Sequence, residues 1–95
     1  MIHISEDNLV KIGPKKDLSR YISASLYALG KNDTINLVGR GNNIKRAIDI
    51  LDILKRDYLD NPKYEVIVDS ETFENRRIST VDIVLSGVKK GELKK

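Results

Sequence analysis

The stretch Thr34-Ile35-Asn36-Leu37-Val38-Gly39-Arg40-Gly41-Asn42-Asn43-Ile44-Lys45-Arg46-Ala47-Ile48 decides the fold. Its first five residues alternate, with Ile35 and Leu37 on one side, which is the period of a strand. Gly39-Arg40-Gly41 breaks that strand. Asn42 or Asn43 then offers a helix cap, and Ile44, Ala47, Ile48, Leu51 and Leu54 return at helical 3–4 spacing. A strand that turns through glycine into an amphipathic helix is half of a β-α-β unit.

The same arrangement lies upstream. Leu9–Ile12 is a short apolar strand stopped by Gly13-Pro14. Asp17 can cap a helix with Leu18, Tyr21, Ile22, Leu26 and Leu29 on one face, and Gly30 sits where a left-handed C-terminal cap belongs. Downstream, Ile50, Ile53 and Tyr58 widen the second helix's apolar stripe, and Asn61-Pro62 ends it. Tyr64–Val68 alternates strictly, and Ile78–Leu85 alternates again with Val81, Ile83 and Leu85 on one side; Ser70–Arg77 between them reads as a short hairpin tip. The order is β-α-β-α-β-β. The class is α/β, an α+β sandwich: a mixed four-stranded sheet with two helices on one face.

The chain has 95 residues, enough for a single domain across 1–95, with residues 1–8 and 89–95 expected as flexible ends. It has no cysteine and one histidine, His3, which argues against disulfides, thiolate metal sites and a Ser-His-Asp arrangement. No metal and no cofactor is expected. No apolar run approaches the ~20 residues of a membrane span, and no signal-peptide pattern opens the chain, so the default expectation is a cytoplasmic protein without a membrane partner.

Net charge is +3, but its distribution is uneven. Residues 11–46 hold the cations Lys11, Lys15, Lys16, Arg20, Lys31, Arg40, Lys45 and Arg46 against Asp17 and Asp33, a net of +6. A polyanion is the obvious partner for such a field, although a scattered solvated surface is the simpler reading.

Two loops give the charge a shape. Gly13-Pro14-Lys15-Lys16-Asp17 and Gly39-Arg40-Gly41-Asn42-Asn43 both join a strand to a helix. A lysine pair beside a helix N-terminus suits phosphate, and arginine presents a planar fork to it. The glycines flanking Arg40 imply torsions or a close approach that a side chain would block. The turn lacks the third glycine of a dinucleotide fingerprint. With right-handed, adjacent crossovers, Lys15, Lys16, Arg40, Lys45 and Arg46 share one end of the sheet. The hairpin adds Arg76 and Arg77, offset by Glu71 and Glu74. Asp49, Asp52 and Asp60 read as a solvated helix face, and Ser23 and Ser25 have no candidate base, so no catalytic set is visible and no small-molecule substrate is expected.

Taken in order, Ile12-Gly13-Pro14-Lys15-Lys16, Gly39-Arg40-Gly41, Ile44-Lys45-Arg46-Ala47-Ile48-Asp49 and Arg77-Ile78-Ser79-Thr80-Val81-Asp82-Ile83 resemble the Alba family of archaeal chromatin proteins, across roughly residues 9–86. The resemblance implies a non-enzymatic dimer that binds double-stranded DNA, and often RNA, through the backbone with little sequence preference. It implies backbone contacts from Lys15, Lys16 and Arg40, a basic contact at Arg46, hairpin arms at Glu71–Arg77, and association with the chromosome. By position Lys15, or Lys16 if Pro14 is an extra residue, matches a lysine that is acetylated in some relatives. Tyr58 matches a position used between dimers. Contacts within the dimer or between dimers are expected at Leu51, Leu54, Tyr58, Val81 and Ile83, because the second helix and last strand offer more apolar surface than a small monomer easily hides.

Three departures qualify the picture. Asn42 stands where the family often has a base, the hairpin carries Glu71 and Glu74, and the net charge is low. They favour a structured-RNA-binding ribonucleoprotein component, or a DNA binder with narrower preference, as alternatives. A small phosphate-ester enzyme built around Arg40 is a third reading, opposed by the missing nucleophile–base pair.

Overall fold

A computed structural model describes residues 8–89. The elements are β1 (Leu9–Lys11), α1 (Leu18–Lys31), β2 (Ile35–Arg40), α2 (Asn43–Ile53), a π-helical turn (Leu54–Tyr58), β3 (Leu59–Phe73) and β4 (Arg76–Lys89). The sheet order is β1-β2-β4-β3. β1 runs parallel to β2, while β4 is antiparallel to both β2 and β3. β3 is therefore parallel to β2 with β4 inserted between them, and the expected mixed sheet and element order are both present.

One core explains the layering. Ile35 and Leu37 of β2, and Val81, Ile83 and Leu85 of β4, are buried in register beneath Tyr21, Ile22 and Ala28 of α1 and Ala47, Ile50, Leu51 and Leu54 of the second helical segment. Burying each such Val, Leu or Ile side chain contributes about 1.5–3 kcal/mol. Ser25 is buried too, and its hydroxyl donates to the Tyr21 carbonyl at 2.7 Å, so the serine is a satisfied core residue.

Several boundaries move. α1 continues through Gly30 to Lys31 and ends at Asn32, whose backbone N–H and Nδ2 both donate to the Ala28 carbonyl. Asp17 and Asn42 occupy the N-cap positions without a side-chain capping bond. The second helix stops at Tyr58 instead of Asn61-Pro62, because the register shift between Asp60 and Lys63 lets β3 absorb Pro62 as an irregularity. Asn61 there has a φ of 52°.

The hairpin is long, not short. Pairing runs from Leu59↔Lys89 to Phe73↔Arg76, and Glu74-Asn75 form the two-residue turn with φ of 51° and 64°. Ser70–Phe73 and Arg76–Arg77 are thus strand, not loop. Lys89 is strand-paired; the rest of the expected flexible ends, residues 1–7 with His3 and residues 90–95, lies outside the described residues, while Asn8 is described.

The dimer contacts expected at Leu51, Leu54, Val81 and Ile83 need correction. These four are 0–3% exposed within a single chain, because Leu51 and Leu54 on the helical layer and Val81 and Ile83 on the sheet face one another in one core. Tyr58 remains exposed. The uncovered apolar surface lies on β3 instead. Tyr64, Val66 and Val68 pair with Leu85, Ile83 and Val81 and so share their helix-side face, yet they are 46%, 40% and 70% exposed. Among the described residues, no helix is long and apolar enough to cross a membrane.

Candidate nucleic-acid interface

β1 and β2 are parallel neighbours, so the loops that follow them leave the same end of the sheet. β3 points the same way. Beyond the Arg40↔Thr80 pair, the hairpin continues through four more residues of β4, roughly 13 Å at 3.3 Å per residue. Loop one, the Arg-Gly turn and the hairpin tip are therefore gathered at one end.

The two glycines of the turn do different jobs. A Cβ on Gly39 would meet the backbone oxygen of Asn43 at 2.8 Å, so glycine allows α2 to close on β2. Gly41 has a φ of +56°, and its N–H donates to the Ser79 carbonyl at 2.8 Å, which ties the turn to the hairpin.

Arg40 does not project freely. It faces away from the helices with its strand partner Thr80, and Glu71 faces the same way with Ile78. The Arg40 guanidinium bonds the Glu71 carboxylate at 3.2 Å. The pair is solvent-exposed, so it contributes little stability. It does place an anion beside the candidate phosphate-binding arginine.

Arg46 is also engaged. Its guanidinium donates to the Lys16 carbonyl and lies 5.8 Å from the Tyr21 ring centroid. The Tyr21 hydroxyl in turn accepts from the Gly13 N–H at 2.9 Å. Arg46 and Tyr21 thus brace loop one, where the Lys15 and Lys16 side chains are exposed. Lys45 bonds Asp49 at 3.1 Å on the outer side of α2. A surface hollow of ≈ 590 Å³ brings Gly41 and Asn42 together with Arg76 and Arg77; Arg77 also bonds the Ser70 hydroxyl at 3.3 Å. Asn43 is half-buried as the first residue of α2.

The expected basic residues are therefore at one end of the molecule, but Arg40 and Lys45 are partnered by carboxylates and Arg46 supports a loop. The opposite end, where α2 finishes, carries Arg56, held above the ordinary arginine range chiefly by its side-chain hydrogen bond to Asp57 and by that residue's charge. Among the described residues there is no cluster of three or more metal-ligating side chains.

Sequence reasoning passed over one surface. Lys11, Arg20 and Tyr27 line a groove of ≈ 470 Å³ between β1 and α1, which Lys16 also borders. The available signal was the Arg20, Ala24, Tyr27, Lys31 spacing on the face of α1 opposite its apolar stripe.

Comparison with known proteins agrees with this architecture. The Alba family model matches residues 8–71. The DNA/RNA-binding protein Alba of Thermoplasma volcanium is 30% identical over 89 residues, covering 87% of this chain and 99% of that protein. The protein of the same name from Nitrosopumilus maritimus is 32% identical over 77 residues, covering 73% and 80%. The structure of Alba from Thermoplasma volcanium superposes with a TM-score of 0.75 at 28% identity over 83% of this chain and 99% of that one. ALBA1 from Trypanosoma brucei reaches the same TM-score at 14% identity over 86% and 70%, a likeness of fold alone. The chain is a small protein with the four-stranded α/β fold of these relatives, and it belongs to the Alba family.

Proposed function

We propose that this chain is a single-domain, non-enzymatic protein that binds double-stranded DNA through its phosphate backbone, and RNA as well, acting as a homodimer in a chromatin or architectural role inside the cell. The observation that carries this reading is the convergence of loop one, the Arg-Gly turn and the hairpin at one end of the sheet, with Lys15, Lys16, Arg40, Arg76 and Arg77 around it. Gly41, Asn42 and Asn43 shape the turn. Arg46 acts by holding loop one, and Lys45 adds positive field at the start of α2. The names of the archaeal relatives support DNA and RNA as ligands. Lys15 and Lys16 are exposed and suited to charge control by acetylation, which would remove one phosphate contact.

Self-association is supported by the uncovered row Tyr64, Val66 and Val68, which continues the buried face of β4 past the edge of the helical layer. A second copy of the chain supplies a matching apolar face. Tyr58 would make the contact between dimers, a role supported by its exposure at the end of the π-helical turn.

The test is anisotropy of a labelled duplex titrated with protein at several salt concentrations. Affinity should fall with salt, log K dropping by about 0.9 per phosphate neutralised for each decade of salt. Arg40→Ala should weaken binding on unrelated sequences alike and make that slope shallower by about one contact. Equal affinity of the variant would remove Arg40 from the interface. Stronger binding to a hairpin RNA in direct competition would favour the ribonucleoprotein reading, for which the Arg40–Glu71 pair is the specific observation, since a self-neutralised arginine suits selective rather than indiscriminate binding.

A further inference from the structure

The outer edge of the sheet carries a second cationic surface that the loops do not account for. The groove between β1 and α1 is lined by Lys11, Lys16 and Arg20, all three exposed residues, together with Ala24 and Tyr27 of α1. α1 holds no acidic residue along its 14-residue length. Among the described residues Lys11, Lys16 and Arg20 form no ion pair, in contrast to Arg40 and Lys45. Arg20, Ala24, Tyr27 and Lys31 follow one another at helical spacing, and Arg20 and Lys31 are separated by roughly 16 Å along the axis. Tyr27 is 64% exposed, with the Lys31 ammonium 4.8 Å from its ring centroid.

A lone exposed tyrosine on a basic helix needs no special explanation. Here three features coincide: concavity, cations that form no ion pair among the described residues, and continuity through Lys16 with the candidate duplex surface. Phosphates meet the lysines and arginine as charges. A tyrosine face offers stacking that an unpaired base can take, whereas bases inside a duplex are already stacked on both faces.

We propose that this groove binds a single-stranded nucleic-acid segment leaving the duplex, with its phosphates against Lys11, Lys16 and Arg20 and an unpaired base against Tyr27. The proposal rests on the nucleic-acid reading above. It extends that reading from duplex to junctions, ends and unpaired loops.

The experiment compares a blunt duplex, the same duplex with a short oligothymidine extension, and labelled oligothymidine alone, all with the full chain. The extension should tighten binding about fivefold or more. Tyr27→Leu should abolish that gain and leave blunt-duplex affinity within about twofold, while Tyr27→Phe keeps the gain. Arg20→Gln should reduce both the gain and its salt dependence. Tyr27 is exposed, so circular dichroism should show all these variants folded. Equal affinity for blunt and extended duplexes, or a gain that survives Tyr27→Leu, overturns the proposal. Binding of oligothymidine in a Tyr27-dependent way without binding of the blunt duplex would overturn the duplex reading and leave the groove standing.

Discussion

Arg40 and Glu71 show what one residue pair decides. The arginine was legible as a phosphate ligand because glycines flank it and a helix starts beside it. Its partner was not legible, because the two are 31 positions apart and meet only through the β2-β4-β3 register. Glu71 competes with phosphate for the same guanidinium and repels the backbone as well. Glu71→Gln should therefore tighten duplex binding, by about threefold given the modest worth of exposed pairs. The gain should shrink in the Arg40→Ala background, which anisotropy on both variants would read. Weaker binding in Glu71→Gln would make the carboxylate a contact in its own right. Arg46 teaches a related lesson. Its charge was visible in the sequence, but its use in holding the Lys16 carbonyl depends on α2 packing beside loop one.

At the scale of elements, the hairpin departs furthest from its sequence reading. In the sequence Ser70–Arg77 reads as a short hairpin tip, because it lies between the alternating runs Tyr64–Val68 and Ile78–Leu85 and is rich in polar residues. In the folded chain the strands continue through these residues, both faces of the arm being mostly solvated, so polar side chains do not break the pairing. The turn itself puts Glu74 and Asn75 at positive φ. Glutamate tolerates that region poorly, at roughly 1 kcal/mol or more, whereas asparagine adopts it more readily. Glu74→Asn should slow amide exchange across Thr72–Arg77 by about fivefold if local opening governs exchange there. No change in protection would mean that the arm opens by another route. The helices were more legible than the hairpin. Their buried faces follow the 3–4 spacing, although Ile50, set down as a widening residue, proves fully buried.

The whole molecule is elongated by the arm. Its largest dimension is 54 Å and its radius of gyration 13.9 Å, against about 12.4 Å for a compact chain of this length. The helical layer covers β4 and stops short of β3, which leaves Tyr64, Val66 and Val68 uncovered. That edge is where self-association should act. Light scattering at micromolar concentration should give twice the 10.8 kDa chain mass, and replacing Val66 and Val68 together by aspartate should return the monomer. Both side chains are partly exposed, so the variant should fold. A wild-type chain that scatters as a monomer would leave the row for a different partner.

The order of strands and helices, the amphipathic faces and the two glycine-bearing loops were determined by the sequence itself, because each depends on spacings of a few residues. Tertiary structure alone decided which apolar strand face stays open, which carboxylate meets Arg40, and that loop one is braced from α2. These depend on register and on the reach of the helical layer. A one-residue slip in register would turn Glu71 to the other face of the sheet, away from Arg40.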